Sequence, residues 1–166
     1  MNHTYIIAFW SLSPLSSRHF CMDFFVSSLK NFGDIQCLDC RNNRDSRTMH
    51  LLRQADLVVV ALRQSYREIC DFFCNATLRF SRCVYLIVDY FPDREFDLAR
   101  ISFEFRVPPS QIACIPYNSG YLNALPKNAS DRRWKPGAIS RLCAGTPDFY
   151  RELLRTQRII LQALGF

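Results

Sequence analysis

The residues with the means to do chemistry lie in a few short stretches. The first is "SLSPLSSR", residues 11 to 18, which follows an apolar run and precedes an amphipathic one. It offers the hydroxyls of Ser13, Ser16 and Ser17 and the guanidinium of Arg18, donors suited to an anion at a helix start. It has no glycine and no lysine, and Pro14 removes one backbone N–H. Asp39, Asp45 and Asp89 fall at the ends of apolar runs, where three carboxylates could gather around a cation. Aspartate at such positions is also ordinary helix capping, and no metal is expected. Cys37-x-x-Cys40 is the chain's only CxxC pair, and no second Cys/His pair at zinc spacing accompanies it. On a strand, residues three apart face opposite sides, and a redox pair would open a helix near its positive end. Buried structural cysteines are therefore expected. Cys70 and Cys74 share a helix face near Phe73 and Phe80, which reads as core. His3, His19 and His50 form no motif with a nucleophile.

These residues need elements to place them. Short β-branched runs at 5–9, 35–40, 57–62, 84–88 and 112–115 read as strands. "LVVV" and "VYLIV" are continuous rather than alternating, which implies burial on both faces of a parallel sheet. Helical patterns fill the intervals at 17–31, 46–54, 65–80 and 95–105. A last helix has Thr146 as N-cap, Pro147 in its first turn and Gly165 past its end. Five βα units in succession predict a three-layer α/β/α sandwich with a parallel five-stranded sheet, as one domain over 1–166. The excursion expected from composition is 126–145, rich in Pro, Gly, Asn, Ser and Arg. In such a fold, ligands sit beyond the carboxyl ends of the strands. That places residues 11–17, 39–45, 63–65, 89–93 and 116–120 around one crevice.

A family resemblance enters on specific stretches. "RQADLVVVALRQSYREICDFF", "VYLIVDYFPDREFDLARISFEF" and "IACIPYNSGYLNA" resemble the second half of ParA/MinD-like P-loop ATPases of the SIMIBI class, closest to the branch associated with positioning and pilus assembly. "DIQCLDCRNNRD" is similar to their Walker B strand and switch loop, with Asp39 at the acidic position. The resemblance spans about residues 34 to 125. It implies an adenine contact near Asp89, where the family usually has Asn, and an "IP-x-D/N" turn at Pro116 and Asn118.

The departures define the functional expectation. In the family, glycines and two lysines cradle and neutralise phosphates. The loop at 11–18 has neither, so the chain reads as a pseudo-ATPase that has lost Walker A, and enzymatic activity is not favoured. The segment between the first strand and the Walker B-like strand is too short for the family's extra strands. The expected order is then 2-1-3-4-5, the flavodoxin-like arrangement. Ser11-x-Ser13-x-x-Ser16 accordingly mimics a flavin-phosphate loop, and Trp10 or Tyr90 could stack on a flavin. No cofactor is expected, with weak ATP or flavin binding left open. The loop itself is expected to be a structural remnant, with Ser16 or Ser17 capping the first helix.

Composition bounds the rest. The chain has 166 residues, 49% hydrophobic and 22% charged, with a formal charge of +6. No apolar run reaches the ~18 residues of a membrane span, and eight cysteines without a signal peptide fit a reducing, cytoplasmic setting. In that setting the sequons at Asn2, Asn75 and Asn128 are chance. Eighteen of the 21 basic residues are arginine, scattered along the chain. Arginine-mediated nucleic-acid binding is thus a rival reading, and so is membrane contact by the basic C-terminal helix. That helix carries Phe149, Leu153, Ile160 and Leu164 on one side and Arg151, Arg155 and Arg158 on another; covering the sheet is its expected role. The favoured function is non-catalytic binding or scaffolding, with a protein partner such as a second copy or a full-length ParA/MinD-like relative.

Overall fold

The computed structural model describes residues 3–15, 21–75, 80–120 and 147–166. Five strands alternate with helices: β1 (Tyr5–Ser11), α1 (Met22–Leu29), β2 (Ile35–Arg41), α2 (Ser46–Gln54), β3 (Leu57–Arg63), α3 (Tyr66–Cys74), β4 (Cys83–Tyr90), α4 (Leu98–Phe105), β5 (Ile112–Pro116) and α5 (Pro147–Leu164). All four strand pairs are parallel and the order is β2-β1-β3-β4-β5. This is a Rossmann-like α/β fold with the order expected from the sequence.

The pleat of β3 divides the core. Leu57, Val59 and Ala61 face one side, where they meet Ile7 and Phe9 of β1, Phe25 and Leu29 of α1, and Leu153 and Ile160 of α5. Val58, Val60 and Leu62 face the other, against Trp10, Leu52 of α2, Ile69 and Phe72 of α3, and Ile101 of α4. Successive strand residues alternate between the two layers, so both faces of β3 are dry and its apolar run is continuous. The placement of α1 on one face and α2–α4 on the other is what right-handed crossovers impose on this order, and α5, which follows the last strand, packs on the α1 side. No helix among the described residues is long and apolar enough to cross a membrane.

Local chemistry sets the helix bounds. Asp45 caps α2 by accepting from the Thr48 N–H (2.9 Å) and hydroxyl (2.7 Å). Those bonds, the backbone one foremost, hold its carboxyl below the usual range. Asp97 caps α4 through the Arg100 N–H at 2.8 Å, so α4 starts at Leu98 rather than at 95. Helix α3 ends at Cys74 instead of running to 80. Helix α5 closes on Gly165 (φ 95°), with Gly165 N–H on the Gln162 carbonyl and Phe166 N–H on that of Leu161. This paired C-terminal cap brings Phe166 edge-on to Tyr5 at 5.2 Å.

The start of α1 is a correction. It begins at Met22 behind Cys21, whose backbone is left-handed (φ 49°) and which makes no side-chain cap. Neither Ser16 nor Ser17 occupies the N-cap. Those two residues, Arg18, His19, Thr146 and the segment 126–145 lie outside the described residues.

Candidate functional site: the crevice at the carboxyl ends

The loop after β1 is tied down by hydrogen bonds from Ser11 to Pro14. Ser11 donates its hydroxyl to the Ser13 carbonyl at 2.8 Å. Arg44, from the β2–α2 loop, donates to the Leu12 carbonyl at 3.1 Å. Arg63, at the end of β3, donates to the Pro14 carbonyl at 3.3 Å. The Ser13 hydroxyl donates to Glu68 Oε1 at 3.1 Å. Below them the Trp10 indole N–H bonds the Asn43 carbonyl at 2.8 Å, and the Arg44 guanidinium lies 5.9 Å from that ring. A phosphate cradle aims backbone N–H groups inward. Here two carbonyls accept from arginines and the serine hydroxyl is committed to a carboxylate, which is the opposite polarity.

Glu68 organises the turn after β3. Its Oε1 accepts both Ser13 Oγ and the Arg63 N–H, the latter at 3.0 Å. Ser65 is the N-cap of α3, accepting from the Glu68 N–H at 3.5 Å. The Ser65-x-x-Glu68 spacing is a capping-box signal that sequence reading passed over. Gln64 was missed as well. It is buried, accepts the Phe91 N–H at 2.9 Å, and donates to the carbonyls of Phe91 (3.0 Å) and Phe96 (2.9 Å). Its three bonds fasten the β3 turn to the β4–α4 loop. Nothing in local spacing reports contacts 27 and 32 residues away.

That loop carries an aromatic surface. Phe91 stacks on Tyr117 at 5.0 Å and 22°, and the Arg94 guanidinium lies 4.7 Å from the Phe91 ring. Tyr66 meets Phe96 edge-on at 5.3 Å. Tyr66, Phe91 and Tyr117 are exposed.

The remaining expected residues are distributed as follows. Asp39 lies within β2, exposed, with its carboxylate accepting the Arg41 N–H at 3.0 Å. Asp89 is half-buried near the end of β4 in a left-handed conformation (φ 52°), at an irregularity in the β4–β5 register. Aspartate tolerates that conformation better than most residues do. Pro116 pairs with Tyr90, whose carbonyl accepts the Tyr117 N–H at 3.0 Å, and Asn118 follows half-buried. Ser13, Asp89, Pro116 and Asn118 thus share the carboxyl-end rim, while Asp39 lies on the outer strand. Asp45 is held by α2, and among the described residues no three His, Cys, Asp or Glu side chains could together hold a metal ion.

A depression of about 280 Å³ beside the loop is lined by Leu12, Ser13, Ser65, Arg67, Glu68 and Asp71. Among the described residues lining it, Glu68 and Asp71 are carboxylates and Arg67 is a guanidinium. The larger depressions, about 440 and 430 Å³, lie at the opposite, amino ends of the strands. Cys37 and Cys40 pack against opposite faces of the sheet, and burial pushes both thiols up to about 11, far from thiolate reactivity.

Compared with protein-family models, with curated proteins and with solved structures, the chain matches none.

Proposed function

We propose that the chain is a non-catalytic, ParA/MinD-like binding domain that holds a protein partner against the carboxyl-end face of its sheet. The partner is a second copy or a full-length relative. The observation that supports this most is the inverted polarity of the β1 loop, in which Arg44 and Arg63 hold carbonyls and Glu68 holds Ser13. Phosphoryl transfer needs positive charge and N–H groups in that space. Beside it, Gln64 anchors the loop whose exposed Phe91 stacks on exposed Tyr117, and aromatic side chains are those that most often anchor interfaces.

Two measurements test the two halves of the reading. Calorimetric titration with ATP and magnesium should give no saturable heat, and purified protein no hydrolysis above background. Micromolar binding lost on Arg18→Ala, or turnover lost on Asp39→Ala, would overturn the non-catalytic half. Sedimentation of the protein, alone and with a full-length ParA/MinD-like relative, should show association that Phe91→Ser with Tyr117→Ser removes. Association unchanged by that pair would place the interface elsewhere.

A further inference from the structure

The larger of the two amino-end depressions has the makings of a ligand site independent of the crevice. It lies between the last turns of α3 and α4, has a volume of about 440 Å³, and is walled by Phe73, Phe80, Tyr85 and Phe105. That volume is within the ~300–1,000 Å³ typical of small-molecule sites, which are mostly apolar with a few polar groups. The walls support one another: Phe73 stacks on Phe105 at 4.7 Å and 17°, and meets Tyr85 at 5.0 Å. Phe105 also meets Phe96 edge-on at 6.4 Å.

Polar groups at the cleft are few. Gln111 contributes an amide, and among the described residues of its lining Arg106 is the charged one. Arg106 ends α4 in a left-handed conformation, φ 53° and ψ 40°. Helices usually place glycine there, because a Cβ is disfavoured in that conformation. The chain instead keeps an arginine, and among the described residues its guanidinium makes no ion pair or hydrogen bond. A strained backbone position thus carries a free cation beside an aromatic cleft.

We infer that the α3–α4 cleft binds a small aromatic carboxylate, with its ring among Phe73, Phe80, Tyr85 and Phe105 and its carboxylate on Arg106. Aromatic walls reward a planar body through offset and edge-on contacts. A guanidinium accepts a carboxylate through two parallel hydrogen bonds. The positive charge of Arg106 disfavours amines of the same shape.

Probes of one ring and opposite charge make the test: 1-naphthoate and 1-naphthylmethylamine, followed by heteronuclear NMR on the whole chain. The naphthoate should bind with a sub-millimolar dissociation constant and shift resonances of Phe73, Phe105 and Arg106, while the amine should not. Arg106→Gly suits the left-handed turn, so its melting temperature should equal or exceed that of the wild type. Its naphthoate affinity should fall about tenfold, the loss of one charge-assisted pair. Arg106→Asn, which also tolerates the turn, should behave alike. Equal binding of the amine, affinity unchanged in either variant, or no naphthoate binding at millimolar concentration would overturn the inference. A lower melting temperature in Arg106→Gly would overturn the account of Arg106 as a residue kept against backbone preference.

Discussion

Replacing Gln64 with alanine should destabilise the fold more than any other single polar change at the rim of the crevice. The side chain is 8% exposed and makes three hydrogen bonds of 2.9–3.0 Å, all to backbone of the 91–96 loop. Each such bond contributes a net 0.5–1.5 kcal/mol or so, and alanine leaves one N–H and two carbonyls to find water in a partly buried place. The expected cost is about 3 kcal/mol. In a chain of this length that lowers the melting temperature by about 6–12 °C. Urea denaturation should show the midpoint falling with the slope unchanged. Hydrogen exchange at the Phe91 amide should accelerate more than exchange in β3. Glutamate provides the sharper test. It can still accept the Phe91 N–H, but turns a carboxylate oxygen toward the carbonyls of Phe91 and Phe96. Burial and those carbonyls should raise its folded pKa above the unfolded value of about 4.3. A raised carboxyl pKa contributes stability below the unfolded value and loses it as pH rises through the folded one. Gln64→Glu should therefore approach wild type below pH ~4 and fall behind as pH rises. An alanine cost under about 1 kcal/mol, or a glutamate gap independent of pH, would refute this account of the loop.

Other consequences are measurable in the same protein. Cys37 and Cys40 are held near 11 and Cys114 near 12, in each case chiefly by burial, against 9.0 for a free thiol. Stability should therefore decline from pH 9 upward, as thiols ionise first in the unfolded chain, and urea midpoints at pH 8 and 10.5 would show it. At pH 8, peptide mapping after brief treatment with a thiol reagent should find exposed Cys74 labelled and buried Cys114 untouched. Thr156→Val should cost about 1–2 kcal/mol, because the Thr156 hydroxyl donates to the Cys114 carbonyl at 3.0 Å in a fully buried setting. Thr156→Ser should keep most of that, as read by urea denaturation.

What could be read in the sequence followed from how local its causes were. "LVVV" and "VYLIV" declare β3 and β4 because burial on both faces leaves no polar positions along a strand. Helix α2 falls at 46–54 as expected, since Asp45 supplies its cap from the adjacent residue. The order 2-1-3-4-5 was expected from the family resemblance, because the segment between β1 and β2 is too short for the family's extra strands. The start of α1 was not legible, because Cys21 is an unusual residue to stand left-handed at a helix start. The loops at the carboxyl-end rim could be named from the strand ends, since position along a parallel sheet is enough to bring them to one side. The bonding inside was hidden. Ser13 reads as an anion donor until Glu68, 55 residues away, takes its hydroxyl. Arg44 and Arg63 were not singled out at all, because the Leu12 and Pro14 carbonyls they hold lie 32 and 49 residues away.

The two edges of the sheet narrow where a partner can dock. A parallel sheet invites strand addition wherever an outer strand leaves N–H and C=O groups unpaired. At β5, the buried side of α5 is broad enough to cover more than a sheet face: Phe149, Leu153, Ile160 and Leu164 enter the core, while Thr156 caps the Cys114 carbonyl and Glu152 approaches the Cys114 thiol at 3.8 Å. With those apolar residues buried, the outward side of α5 is chiefly Arg151, Arg155 and Arg158 with Tyr150 and Leu154, a poor surface for insertion into lipid. At the opposite edge, β2 exposes Gln36, Asp39 and Arg41, and Arg41 is left-handed (φ 50°), which breaks the run of regular strand geometry. Charges and an irregular end are the usual devices against pairing. A partner recognised by strand addition would meet polar or covered backbone at either side. The carboxyl-end face differs, because Tyr66, Phe91 and Tyr117 are exposed there and the Phe91 loop is fixed by Gln64, so little order must be imposed on that loop on binding. That asymmetry between guarded edges and an aromatic rim is a structural reason to test the proposed association at the carboxyl-end face.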